Sequence, residues 1–118
     1  MSEKILGLQT MEKDFLNYAN KFYEYHNQNN IEKANDYAKK MNSMLTSLIN
    51  EESYIDFCDK ILLSKNYIAI IWVCGICIDY NYRKEDAINI LKELSINEDE
   101  IISRDANMLL FVKTHTPT

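Results

Sequence analysis

In 118 residues this chain carries two glycines and one proline, Pro117, next to the end. Tight hairpin turns and phosphate-cradling loops need residues that accept positive φ or fix φ, and there is little material here for either. The scarcity favours helices. It argues against all-β sandwiches and against nucleotide binders built on glycine loops. Apolar residues make up 47% and charged residues 26% of the chain, a globular balance rather than a disordered one. A chain of this length buries about 65% of its unfolded surface, enough for a core without staples. One α-helical domain over residues 1–118 is therefore expected, ordered over about residues 10–113 with frayed ends.

The formal net charge is −5. Nucleic-acid binding rests on a basic stripe that displaces counterions from phosphates, and no such stripe is visible, so no direct nucleic-acid partner is expected. An acidic protein could suit a basic partner, because complementary charge accelerates encounter, and the same net charge equally serves solubility alone. The longest apolar run, residues 67–78, spans about 18 Å as a helix against a hydrocarbon core of about 30 Å, so no membrane partner is expected either. The opening residues hold too short an apolar run for a signal peptide, and three cysteines read as reduced thiols, which together imply a cytoplasmic protein. Lys, Asn, Ile and Tyr, residues of AT-rich codons, are abundant, a bias compatible with a horizontally acquired bacterial gene and equally with an AT-rich host genome.

Periodicity divides the chain into about six helices. Thr10 can cap a first helix through Met11, Phe15, Tyr18, Ala19, Phe22 and Tyr23, ending near Asn27, with Asn30 as cap of the next. Ile31, Ala34, Tyr37, Ala38, Met41, Met44, Leu45, Leu48 and Ile49 mark the inner face of a second. Ser53 with Asp56 can cap a third, with Tyr54, Phe57, Cys58, Ile61 and Leu62 inward. Residues 67–78, apolar all round, are longer than most strands and read as a buried helix. A fifth helix starts at Lys84 or Glu85, and a last one near Ser103, with Asp105, Ala106, Leu109, Leu110 and Val112 as its pattern. The fold class is all-α: three stacked antiparallel hairpins, HEAT-like, or an irregular bundle.

Cys74-Gly75-Ile76-Cys77 is the sharpest motif. A thioredoxin-like site would place it between a strand and a helix with a proline opposite, and the only proline is Pro117. On a buried helix the two thiols stand at i and i+3 as small hydrophobes. Cys58, Cys74, Cys77 and either His26 or His115 contain one pair with zinc-ligand spacing, His115 lies in the tail, and His26 suits a helix C-terminus, so no metal is expected. Acids cluster where solvated helix ends fall, and no metalloprotease, nucleophile-elbow or phosphate-binding motif occurs. No catalytic residue, cofactor or small-molecule substrate is expected, and the chain reads as a non-enzyme.

Binding remains. Eight tyrosines are many for this length, and Tyr suits interfaces because its ring is apolar and its tip polar. The link 79–83 offers Asp79, Tyr80 and Tyr82; the link 95–101 offers Glu98, Asp99 and Glu100. These six are the candidate partner-binding residues, and the two links are expected at opposite ends of the fifth helix.

The run from Phe22 through Asn35, followed by Lys39-Lys40 and Leu45 to Leu48, resembles an uncharacterised bacterial HEAT-like helical domain family. So do the unit over residues 62–78, the helix Ala87-Ile88-Asn89-Ile90-Leu91-Lys92-Glu93-Leu94, and a closing helix opened by Asp105-Ala106. Where that family often has a Val-Arg pair, this chain has no arginine between Leu62 and Ile78. The resemblance implies a helical scaffold without catalytic residues, similar to the immunity proteins of contact-dependent growth-inhibition and polymorphic-toxin systems. Such proteins bind a cognate toxin domain and block it. The partner so implied is a toxin domain, basic by charge complementarity and of nuclease type among the options. The alternatives are a HEAT-like adaptor or regulatory subunit with a non-toxic partner, and a thiol oxidoreductase using Cys74 and Cys77.

Overall fold

A computed structural model describes residues 3–50 and 54–115, with side chains described from Gly7 onward. Six α-helices make up its regular structure: α1 (Glu3–Asn27), α2 (Ile31–Asn50), α3 (Tyr54–Leu63), α4 (Tyr67–Asp79), α5 (Lys84–Leu94) and α6 (Glu100–His115). The all-α class and the count of six agree with the sequence pattern. The chain divides into two compact units, residues 1–69 and 70–118, with the boundary one turn into α4. None of these helices is long and apolar enough to cross a membrane.

In the first unit α1 and α2 form a hairpin whose corner is made without glycine. Asn29 takes the left-handed conformation (φ 57°), while Asn30 N–H donates to Tyr25 O at 2.8 Å and Asn29 N–H to His26 O at 3.0 Å. This is the bonding of a Schellman cap, with Asn in the place glycine usually takes. Asn30 Oδ1 then accepts from Lys33 N–H at 3.2 Å and caps α2, as its position predicts. Ring contacts fix the antiparallel sense. Tyr25 stacks on Tyr37 at 5.9 Å, and Tyr18 meets the same ring at 6.1 Å. Lys33 lies over Tyr25 and Lys40 over Tyr18 and Tyr37, so α2 runs back along α1. Phe15, Ala19, Phe22, Met41, Leu45 and Leu48 are buried, and Phe57 of α3 meets Phe15 edge-on at 5.2 Å. Asn66 ties the end of this unit to α1: its Nδ2 donates to Asn20 Oδ1 at 2.8 Å, and its Oδ1 caps α4 by accepting from Ala69 N–H at 3.1 Å.

In the second unit α4 is buried nearly all round, with Ile70, Ile71, Val73, Cys74, Cys77 and Ile78 all under 9% exposed. It faces α6 through Gly75, where a Cβ would stand 3.7 Å from Leu109. Leu91 and Ala87 of α5 and Ala106 of α6 complete the core.

Several boundaries differ from the periodicity reading. The first helix starts at Glu3 rather than at Thr10, because no proline or polar cluster interrupts residues 3–10 and Gly7 is tolerated in open space. The last starts at Glu100 rather than near Ser103, because Asp99 Oδ1 accepts from Ile101 N–H at 2.9 Å and Ile102 N–H at 3.3 Å. His115 is the last residue of α6, not part of a tail. Ile31 and Val112, expected inward, are each 49% exposed. The proposed Ser53 cap, the acids Glu51 and Glu52, and Pro117 lie outside the described residues.

Candidate functional site

Both candidate clusters belong to the second unit, and α5 separates them. Its eleven residues span about 15 Å, so the links 79–83 and 95–101 lie at its two ends.

The link before α5 is held by two left-handed residues, Asn81 and Arg83, each with φ 53°. Tyr82 N–H donates to Cys77 O at 2.9 Å and Asn81 N–H to Ile78 O at 3.3 Å, a second asparagine-based Schellman cap. Asp79, the last residue of α4, accepts from Lys113 Nζ with both carboxylate oxygens, at 2.7 and 2.8 Å. Tyr80 is 49% exposed, whereas Tyr82 is half-buried. Arg83 pairs with Asp86 at 3.1 Å. The acids of this corner are thus largely matched by cations of the same unit.

At the other end the balance differs. Asp99 is half-buried, its carboxylate spent on capping α6, while its own N–H donates to Asn97 Oδ1 at 2.8 Å. Glu98 and Glu100 are exposed, and no ion pair engages either among the described residues. Beside them Ile96 is 84% exposed, one of the two most exposed large apolar side chains described. The periodicity reading passed over Ile96. Its signal was an isolated apolar residue inside a polar connector. So the six candidates form two groups: Asp79, Tyr80 and Tyr82 around a charge-matched corner, and Glu98, Asp99 and Glu100 around an unmatched acidic one.

The three thiols lie away from solvent. Cys58, Cys74 and Cys77 form no disulfide among the described residues, and all three are fully buried. Burial foremost, then the neighbouring Cys77, push the Cys74 thiol up to about 12, against a smaller downward pull from Arg83. Among the described residues no group of three or more His, Cys, Asp or Glu is placed to hold a metal ion. His26 packs against Phe22 at 4.6 Å in the last turn of α1, and His115 stacks on Phe111 at 4.3 Å in the last turn of α6.

No family model, curated protein or solved structure matches this chain.

Proposed function

We propose that this chain is an immunity protein that binds a cognate bacterial toxin domain and neutralises it by stoichiometric occlusion of the toxin's active or substrate-binding surface. The observation that carries the reading is the corner between α5 and α6, where Ile96 stands exposed beside two carboxylates, Glu98 and Glu100, that no cation of the described chain engages. An apolar side chain held out from a capped corner exposes its surface to water at a free-energy cost that is relieved when a partner covers it. Unengaged acids beside it accelerate encounter with a basic surface and select against acidic ones. Tyr80 and Tyr82, with Asp79, form a second contact group at the other end of α5, and Asp99 supports the first by holding the corner. The protein acts by binding in the cytoplasm of the producing cell, without turnover, and the toxin domain it suits is basic, as a nuclease is.

The test begins with tagged protein as bait in its native host. The captured partner is expressed alone and then with this chain. Growth arrest by the partner, relieved by the chain, supports the reading. The double variant Glu98→Lys/Glu100→Lys and the single variant Ile96→Ser are expected to weaken the complex about tenfold or more while leaving the helical circular dichroism unchanged. A partner that is harmless when expressed alone overturns the reading in favour of an adaptor.

A further inference from the structure

Between α5 and α6 runs an open groove of about 380 Å³, lined by Ile88 and Lys92 on one side and by Asn107, Leu110, Phe111 and His115 on the other. Phe111 is 62% exposed, and Met108, one turn back on the same helix, is 60% exposed. Phe111 is held rather than loose: the His115 ring stacks on it at 4.3 Å with planes 16° apart, and His115 Nδ1 lies 3.1 Å from Phe111 O. The Thr114 hydroxyl is turned back onto Leu110 O at 2.7 Å. That leaves the Lys92 ammonium, the Asn107 amide and His115 Nε2 as the polar groups of the lining without a hydrogen bond or ion pair among the described residues. No carboxylate lines the groove, in a chain whose net charge is −5.

We propose that this α5–α6 groove docks an acidic amphipathic helix of a partner protein, its apolar side chains laid against Phe111, Leu110 and Ile88 and its carboxylates against Lys92. The inference goes beyond the toxin-inhibitor reading and does not depend on it. An apolar trough between two helices is the receiving half of helix-in-groove recognition, read by anchors at i, i+3 or i+4 and i+7. Local charge selects the acidic member of that class, because the lining has a cation and no acid. A second copy of this chain fits less well. Two copies laid groove to groove set the same Lys92-bearing lining, which holds no carboxylate, against itself. An anionic lipid surface is flat, whereas the apolar side chains here line a concavity. Preorganisation of Phe111 by its stack on His115 reduces the ordering cost of binding.

The test uses the full chain and a fluorescent synthetic peptide of about 18 residues, five helical turns, with Leu and Phe on one face and Glu elsewhere. Its counterpart carries Lys at every Glu position. Fluorescence anisotropy is expected to show saturable binding of the acidic peptide, with the lysine counterpart weaker by about tenfold or more. Phe111→Ala is expected to weaken the acidic peptide by about tenfold and Lys92→Glu by a similar factor, and both sites are exposed enough for circular dichroism to stay unchanged. Equal affinity for the two peptides, or none for either, overturns the proposal. So does a concentration-dependent doubling of mass in sedimentation equilibrium that Phe111→Ala abolishes, which would assign the groove to a second copy. Binding to phosphatidylserine vesicles that the peptide cannot displace would assign it to a membrane surface and overturn it equally.

Discussion

Cys74 illustrates how far a residue's surroundings can reverse what its motif suggests. A C-x-x-C pair is reactive when one thiol is exposed and its thiolate is stabilised. Here burial and the adjacent Cys77 disfavour the thiolate, and the thiol is pushed from 9.0 up to about 12. Folding therefore keeps a proton that the unfolded chain releases. Below pH 9 both states hold it and stability is indifferent to this group; between pH 9 and about 12 only the folded state does, so stability falls as pH rises. The slope from this thiol is about 1.4 kcal/mol per pH unit. Urea unfolding across that range is expected to show the fall, and Cys74→Ala to show a shallower one; equal slopes would remove the account. At pH 8 the native thiols are expected to resist a thiol reagent until denaturant is added. The residue scale also explains the corners. Asn29 and Asn81 supply the left-handed conformation that two glycines could not, since both glycines lie inside helices. Arg83 takes it as well, without asparagine's tolerance, and so stores backbone strain at the start of α5.

At the scale of the element, caps decide boundaries and small residues decide approach. Asn30, Asn66 and Asp99 each accept a backbone N–H at a helix start. Only the first was read correctly from sequence. Asp99 reads in sequence only as an acid of an acidic connector, because a connector acid and a capping residue look alike until the helix start is known. Asn66 gave no periodic signal, and its bond to Asn20, 46 residues earlier, is non-local. Gly75 sits inside α4, where glycine costs helix stability, yet a Cβ there would meet Leu109 at 3.7 Å and Lys113 at 3.9 Å, ordinary contacts. Gly75→Ala is therefore expected to stabilise the protein by about 0.5–1 kcal/mol, read as a rise of a few degrees in Tm. A fall in Tm would mean that α4 and α6 have no room even for a methyl group.

At the scale of the whole molecule, charge is the lever. If the proposed partner is basic, its association with this acidic chain is steered at long range and screened by salt. The association rate constant is expected to fall about tenfold between about 0.05 and 0.5 M salt, with the dissociation rate nearly unchanged, measured by stopped flow. A salt-independent rate would mean that apolar contact at Ile96, not charge, selects the partner. The all-α class, the helix count and the buried character of α4 were legible in the amino-acid sequence alone, because scarce glycine and a period of three to four residues are local properties of a chain. Which acids are spent and which are free was not. Asp79 is engaged by Lys113, 34 residues away, and Asp99 by the amides of α6, while Glu98 and Glu100 stay unengaged. The exposure of Ile96, Met108 and Phe111 likewise follows from how helices are set against one another within the second unit. Periodicity says that a helix has an apolar face; only packing decides how much of that face its neighbours cover, because burial is a property of pairs of surfaces distant in sequence.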